Sequence, residues 1–241
     1  MHEVDPLLMT FNQEASNSPQ LSVKNVSFAW PKGKEALKNC TFEVPRPGLW
    51  MLVGRNGSGK STLFRLINGM LTPQNGSIHC ELKIALMFQN PDHQLLLPTC
   101  GSDLLLSTPT DLTLLQRQEM VENVLKQVGL LGMESRPIHT LSGGQKQRLA
   151  LAGALASQAK LLLLDEPTAL LDPVSQIKIL KIVKSLCNSS SEPITAIWIT
   201  HRLKELEYSD GAAIMENGRV GPWDSGFLLK KRLTPLARRR V

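Results

Sequence analysis

The 241-residue chain has no paired-cysteine signature, no Lys or Arg among its first twenty positions and no acid after Asp224. Cys40, Cys80, Cys100 and Cys187 stand singly, without CxxC spacing or neighbouring histidines, so neither a zinc site nor a redox motif is indicated. They read as incidental thiols in a reducing compartment. Residues 1–20 contain Glu3, Asp5 and Glu14 but no Lys or Arg, which argues against a secretory signal or transit peptide. A cytoplasmic protein is expected. The apolar runs, such as Leu161 to Leu164 with its flanks, fall far short of the roughly 20 residues a membrane helix needs. Any membrane span must come from another chain.

The net charge of +6 is just as unevenly placed. Lys230, Lys231, Arg232, Arg238, Arg239 and Arg240 account for it, and without them Lys+Arg equals the 21 Asp+Glu. The body is near neutral, so a specific nucleic-acid interface is not expected despite the basic pI. Such like-charge runs are commonly solvated. Residues 225–241 therefore read as a basic C-terminal tail, with a sharper alternative in which they rest against anionic lipid. Residues 1–20, polar and without periodicity, read as a flexible arm. Residues 21–224 are then one domain, large enough for a sizeable core.

What the sequence does contain centres on Gly54-Arg55-Asn56-Gly57-Ser58-Gly59-Lys60-Ser61-Thr62. The apolar run Leu49 to Val53 before it suits a buried strand, and Leu63 to Met70 after it has helical spacing. That strand, loop and helix are the setting of a phosphate-binding loop. Glycines let backbone N–H groups converge on an anion, and the helix N-terminus adds its positive dipole. Lys60 would reach the β/γ-phosphates and Ser61 would offer its hydroxyl to Mg²⁺, so ATP with Mg²⁺ is the expected ligand.

Before the loop, Val26, Phe28 and Trp30 alternate at period two, and Ala36 to Val44 follows a Pro31 to Lys34 turn, as in an antiparallel hairpin. After it, Thr72 to Gly76 reads as a turn and Ile84 to Phe88 as a buried strand ending at Gln89. Residues 91–158 form a helical insertion, with a helical pattern from about Gln116 to Val128 and another from Lys146 to Gln158. Leu141-Ser142-Gly143-Gly144-Gln145 precedes the second, as either an anion-binding helix start or a plain cap. Leu161 to Leu164 reads as a buried strand ending in Asp165 and Glu166. Val174 to Asn188 reads as a helix, Ile194 to Thr200 as a strand delivering His201, and Ala212 to Val220 as a closing hairpin.

Taken in this order, residues 21–220 resemble the ATP-binding cassette (ABC) ATPase family. The resemblance implies an α/β P-loop NTPase with a mostly parallel core sheet, an N-terminal antiparallel β subdomain and a helical insertion. It makes Trp30 the adenine-stacking aromatic, Gln89 a sensor of Mg²⁺ and water, Asp165 the metal partner and Glu166 the general base. His201 becomes the residue that contacts the γ-phosphate, and Asp172 that of the D-loop. Ser142 to Gln145 would close on a nucleotide held by a second subunit, implying a dimer with two ATPs between a pair of identical or related chains. The implied activity is ATP hydrolysis that drives an integral membrane transporter subunit, with this chain peripheral on the membrane. The alternative is a soluble mechanical or regulatory module acting on nucleic acid or ribosomes. Phe88 to Leu95 is similar to the corresponding region of energy-coupling-factor importers, which take up cobalt, nickel or vitamins.

Overall fold

Strands that are apolar without interruption need cover on both faces, and that requirement builds the molecule. The computed structural model describes residues 19–31 and 33–238. Its main sheet has the order β5 (Ile84–Met87), β6 (Leu161–Asp165), β7 (Thr195–Ile199), β3 (Gly48–Val53), β8 (Gly211–Glu216) and β9 (Arg219–Val220). The first five are parallel and β9 closes the edge antiparallel. Alternate residues of one strand point to opposite faces. Leu162 and Leu164 join the core on one side, with Met51 and Trp198, whereas Leu161 and Leu163 join the core on the other, with Leu52 and Ile199.

The second face is covered by α1 (Lys60–Ile67) and a three-stranded antiparallel sheet of order β2 (Glu35–Val44), β1 (Leu21–Ala29) and β4 (Asn75–His79). β4 is a difference from the expectation of a turn at 72–76. Gly76 lies against β1 so closely that a Cβ there would sit 2.4 Å from the Asn25 carbonyl oxygen. β1 also departs from simple alternation: Asn25 has φ 51° and the register shifts between Val23 and Val26, leaving Val26, Ser27 and Phe28 all buried. Such a bulge re-aims the end of a strand.

The first face is covered by α2 (Cys100–Ser107), α3 (Leu114–Gln127), α4 (Gly143–Ala156) and α5 (Pro173–Cys187). α3 is capped by Thr113 with Gln116, and α4 begins earlier than the periodicity placed it, because Ser142 is its cap. Residues 226–238, read as tail, are instead helix α6 (Gly226–Arg238). Leu229 is buried, Leu233 packs beside the same core, and Lys230 and Arg232 pair with Glu207 and Asp224. Of the arm expected over 1–20, residues 1–18 lie outside the described residues, while the Gln20 N–H donates to the Val44 oxygen.

Candidate nucleotide site

The order β6, β7, β3 brings three carboxyl ends side by side, the place where open α/β sheets hold ligands. Asp165 pairs in register with Ile199, and Leu52 pairs with Ile199 from the other side. Glu166, His201 and the loop from Gly54 therefore leave the sheet along one rim.

The loop's curl depends on two close approaches. A Cβ at Gly54 would lie 2.3 Å from the Met215 oxygen, and one at Gly59 would lie 2.4 Å from the Ala36 oxygen; Gly59 also has φ 105°, a region L side chains avoid. Lys60 Nζ donates to the carbonyl oxygens of Gly54 at 2.8 Å and Arg55 at 3.1 Å, which points the ammonium back along the loop. Burial lowers the Lys60 pKa, and the carboxylates of Glu166 and Asp165 act against that shift. Asn56 and Gly57 are exposed at the tip, whereas Ser58 and Thr62 are buried.

At the rim, the Ser61 hydroxyl lies beside Asp165. Burial raises the Asp165 pKa and the neighbouring Glu166 raises it further, with Ser61 and Lys60 opposing. A half-buried carboxylate beside a second acid and a hydroxyl is an oxygen-donor set that fits Mg²⁺. Glu166 Oε2 lies 3.1 Å from His201 Nδ1, joining the two residues into one acid–imidazole pair. Glu166 itself has φ 49°, strained for a residue with a side chain.

Trp30 stands just past β1, more than a third exposed, with its ring edge-on to Phe28 at 5.3 Å. The strand after its turn supplies Ala36, which touches Gly59, so Trp30 belongs to the hairpin end that borders the phosphate loop. Gln89, two residues beyond β5, is exposed. A neighbour that the motifs did not single out, Gln94, accepts from the Phe88 N–H and donates to the Leu86 oxygen, fixing the chain on either side of that strand end. Lys146 of α4 reaches the same segment through Asp92 at 2.7 Å.

Ser142, Gly143, Gly144, Gln145 and Asp172 form a separate patch. Ser142 Oγ accepts from the Gln145 N–H, and Gln145 Oε1 accepts from the Ser142 N–H. Asp172 caps α5 by accepting from the N–H groups of Val174 and Ser175, and the Ser175 side chain, followed by these N–H groups, lowers its pKa. The two caps touch, since a Cβ on Gly144 would meet Ser175 Oγ at 2.5 Å. The plain capping reading of Ser142 thus holds within the chain. Among the described residues, no side-chain hydrogen bond links 142–145 or 172 to the loop at 54–62.

The comparisons agree with this geometry. Residues 37–169 match the ABC transporter family. ABC transporter I family member 10 of Arabidopsis thaliana is 47% identical over 76% of this chain and 69% of its own length. The energy-coupling factor transporter ATP-binding protein EcfA of Methanocaldococcus jannaschii is 37% identical over 83% of this chain and 77% of its own. Among solved structures, cbiO1 from Clostridium perfringens, part of the ABC transporter complex cbiONQ, superposes with a TM-score of 0.81 at 30% identity, covering 92% of this chain and 96% of that one. A dimeric ATP-binding cassette in a post-hydrolysis state bound to ADP and Pi superposes with a TM-score of 0.73 at 25% identity, covering 85% and 98%.

Proposed function

From the chain's membership of the ABC transporter family, as an ATP hydrolase that powers transport through a membrane subunit, we propose the following division of labour among its residues. The N–H groups of Gly54 to Thr62 and the Lys60 ammonium bind the β- and γ-phosphates. Trp30 stacks on adenine. Ser61 and Asp165, with Gln89, hold Mg²⁺, which when bound neutralises charge on the phosphate oxygens. Glu166 takes the proton of the attacking water, and His201 holds the carboxylate and faces the γ-phosphate.

The observation that carries this reading is the Glu166–His201 pair at the same rim as Lys60 and Asp165. Phosphoryl transfer needs little covalent chemistry from the protein, so positioning and charge stabilisation supply most of the rate. A carboxylate held by an imidazole is oriented before water arrives. Glu166→Gln keeps the shape and removes the base. It should bind ATP normally, accumulate an ATP-bound dimer and turn over about 10²–10⁴-fold more slowly. Turnover at the parental rate would overturn the assignment.

Ser142 to Gln145 and Asp172 complete the nucleotide site of a second copy. Support comes from the lack, among the described residues, of any side-chain hydrogen bond between them and their own loop, and from the dimeric structural relative. No described helix is long and apolar enough to cross a membrane; the likeness to ATP-binding subunits of transporter complexes supports a peripheral place beside a membrane partner. The likeness to EcfA and cbiO1 supports a partner of the energy-coupling-factor kind.

A further inference from the structure

Glu205, only 4% exposed, carries a carboxylate that is paired with no cation among the described residues. Its two oxygens accept from two neutral donors: Thr168 Oγ1 at 2.6 Å and Trp198 Nε1 at 3.0 Å. Burying a carboxylate without a counter-cation is costly, so the bonds it makes are what the site gains from it. Both partners bear on the catalytic rim. Thr168 lies two residues after Glu166, and Trp198 is the β7 residue directly before Ile199, whose oxygen accepts from the Glu166 N–H at 3.1 Å.

Glu166 has φ 49°, a left-handed region that a residue with a long side chain seldom adopts. Within its own turn it has one further bond, from the Ala169 N–H to the Glu166 oxygen at 3.0 Å. Pro167 has no N–H to give. The Thr168 hydroxyl is thus a side-chain tether that fastens the far end of the turn to β7 through Glu205, beside the Arg202 guanidinium that donates to the Ala169 oxygen at 3.4 Å. We propose that Thr168 and Glu205 are positioning residues: their bridge holds Glu166 in the strained conformation that aims its carboxylate at the attacking water. This rests on Glu166 being the base.

The test uses the full chain and reads kcat, the ATP dissociation constant and the number of nucleotides bound per chain. Thr168→Val removes the hydroxyl with little change of shape and should lower kcat about 10²-fold, the usual effect of displacing a reacting group by an ångström. ATP affinity and stoichiometry should stay parental. Thr168→Ser keeps the donor and should restore the rate. Glu205→Gln should also stay near the parental rate, because its amide oxygen can accept from Trp198 while its NH₂ donates to a rotated Thr168 hydroxyl. The double variant Thr168→Val, Glu205→Gln should be no slower than Thr168→Val alone. A parental kcat in Thr168→Val would overturn the proposal, as would a loss matched by an equal loss of bound nucleotide, which marks a merely structural role. Glu166→Gln measured alongside separates the two claims: slow turnover there with parental Thr168→Val refutes only the bridge, and fast turnover there refutes the base and the bridge together.

Discussion

The rim around Lys60 and the patch around Ser142 are both made of helix starts and glycines, yet they are finished differently. At the rim, charges are crowded and partly buried: Lys60 is lowered by desolvation, Asp165 is raised by it, and Glu166 is strained. These groups are held away from their resting preferences, the usual mark of a site arranged for charge that a ligand brings. At the patch, each exposed cap is already satisfied. Ser142 and Gln145 bond each other, and Asp172 is stabilised by its own helix. One region is poised and needs a ligand, while the other is complete and only presents a surface. That contrast is what a nucleotide site divided between two chains requires.

The sharpest way to break the contrast is Ser142→Arg. Hydrolysis should be abolished while ATP binding to the separated chain stays nearly intact, because the altered surface meets a nucleotide only in the dimer. Equal loss of binding, read by titration of the monomer, would move Ser142 into its own nucleotide site.

Trp30→Ala tests the rim from the base end. Base–aromatic stacking is worth about 1–3 kcal/mol, so affinity should fall roughly 5- to 150-fold. The loss should be alike for ADP and ATP, because the ring touches neither phosphate. Unchanged affinity would leave Trp30 as a hairpin aromatic packed on Phe28.

The smallest effect concerns Asp165 in the ligand-free chain. A carboxyl whose folded pKa is raised contributes stability that is present below its ordinary value of 3.8 and is lost as pH rises through the folded value. At neutral pH the ionised group therefore destabilises the empty rim. Asp165→Asn should raise Tm there, the advantage should vanish at acid pH, and the stabilisation by Mg²⁺ with ATP should be lost. A lower Tm at neutral pH would mean that burial does not dominate at Asp165.

Much of this arrangement was readable from residues whose chemistry leaves few choices. Gly54 and Gly59 sit where any Cβ would strike a carbonyl, and the strand ends at Asp165 and before His201 follow from apolar runs that stop at polar residues. What escaped notice depended on distant packing. Asn75 to His79 is made of turn formers, and only its pairing with β1 makes it a strand. In α6 the run of basic residues masks Leu229 and Leu233, spaced one helical turn apart and packed toward the core. Glu205, in the charged stretch from Arg202 to Glu207, looks solvated until Thr168 and Trp198 close over it. Gln94 is likewise an ordinary polar residue until its amide spans the end of β5.

The central claim, that rim and patch act on one nucleotide from different chains, is tested most directly by mixing two inactive forms. Lys60→Ala keeps the patch and loses the rim, and Ser142→Arg does the reverse. A dimer of one with the other contains one intact composite site, so the mixture should hydrolyse ATP faster than either variant alone, with a maximum near equal proportions. If each chain instead used its own patch, no proportion would recover activity, and a flat line across the mixing series would contradict the account.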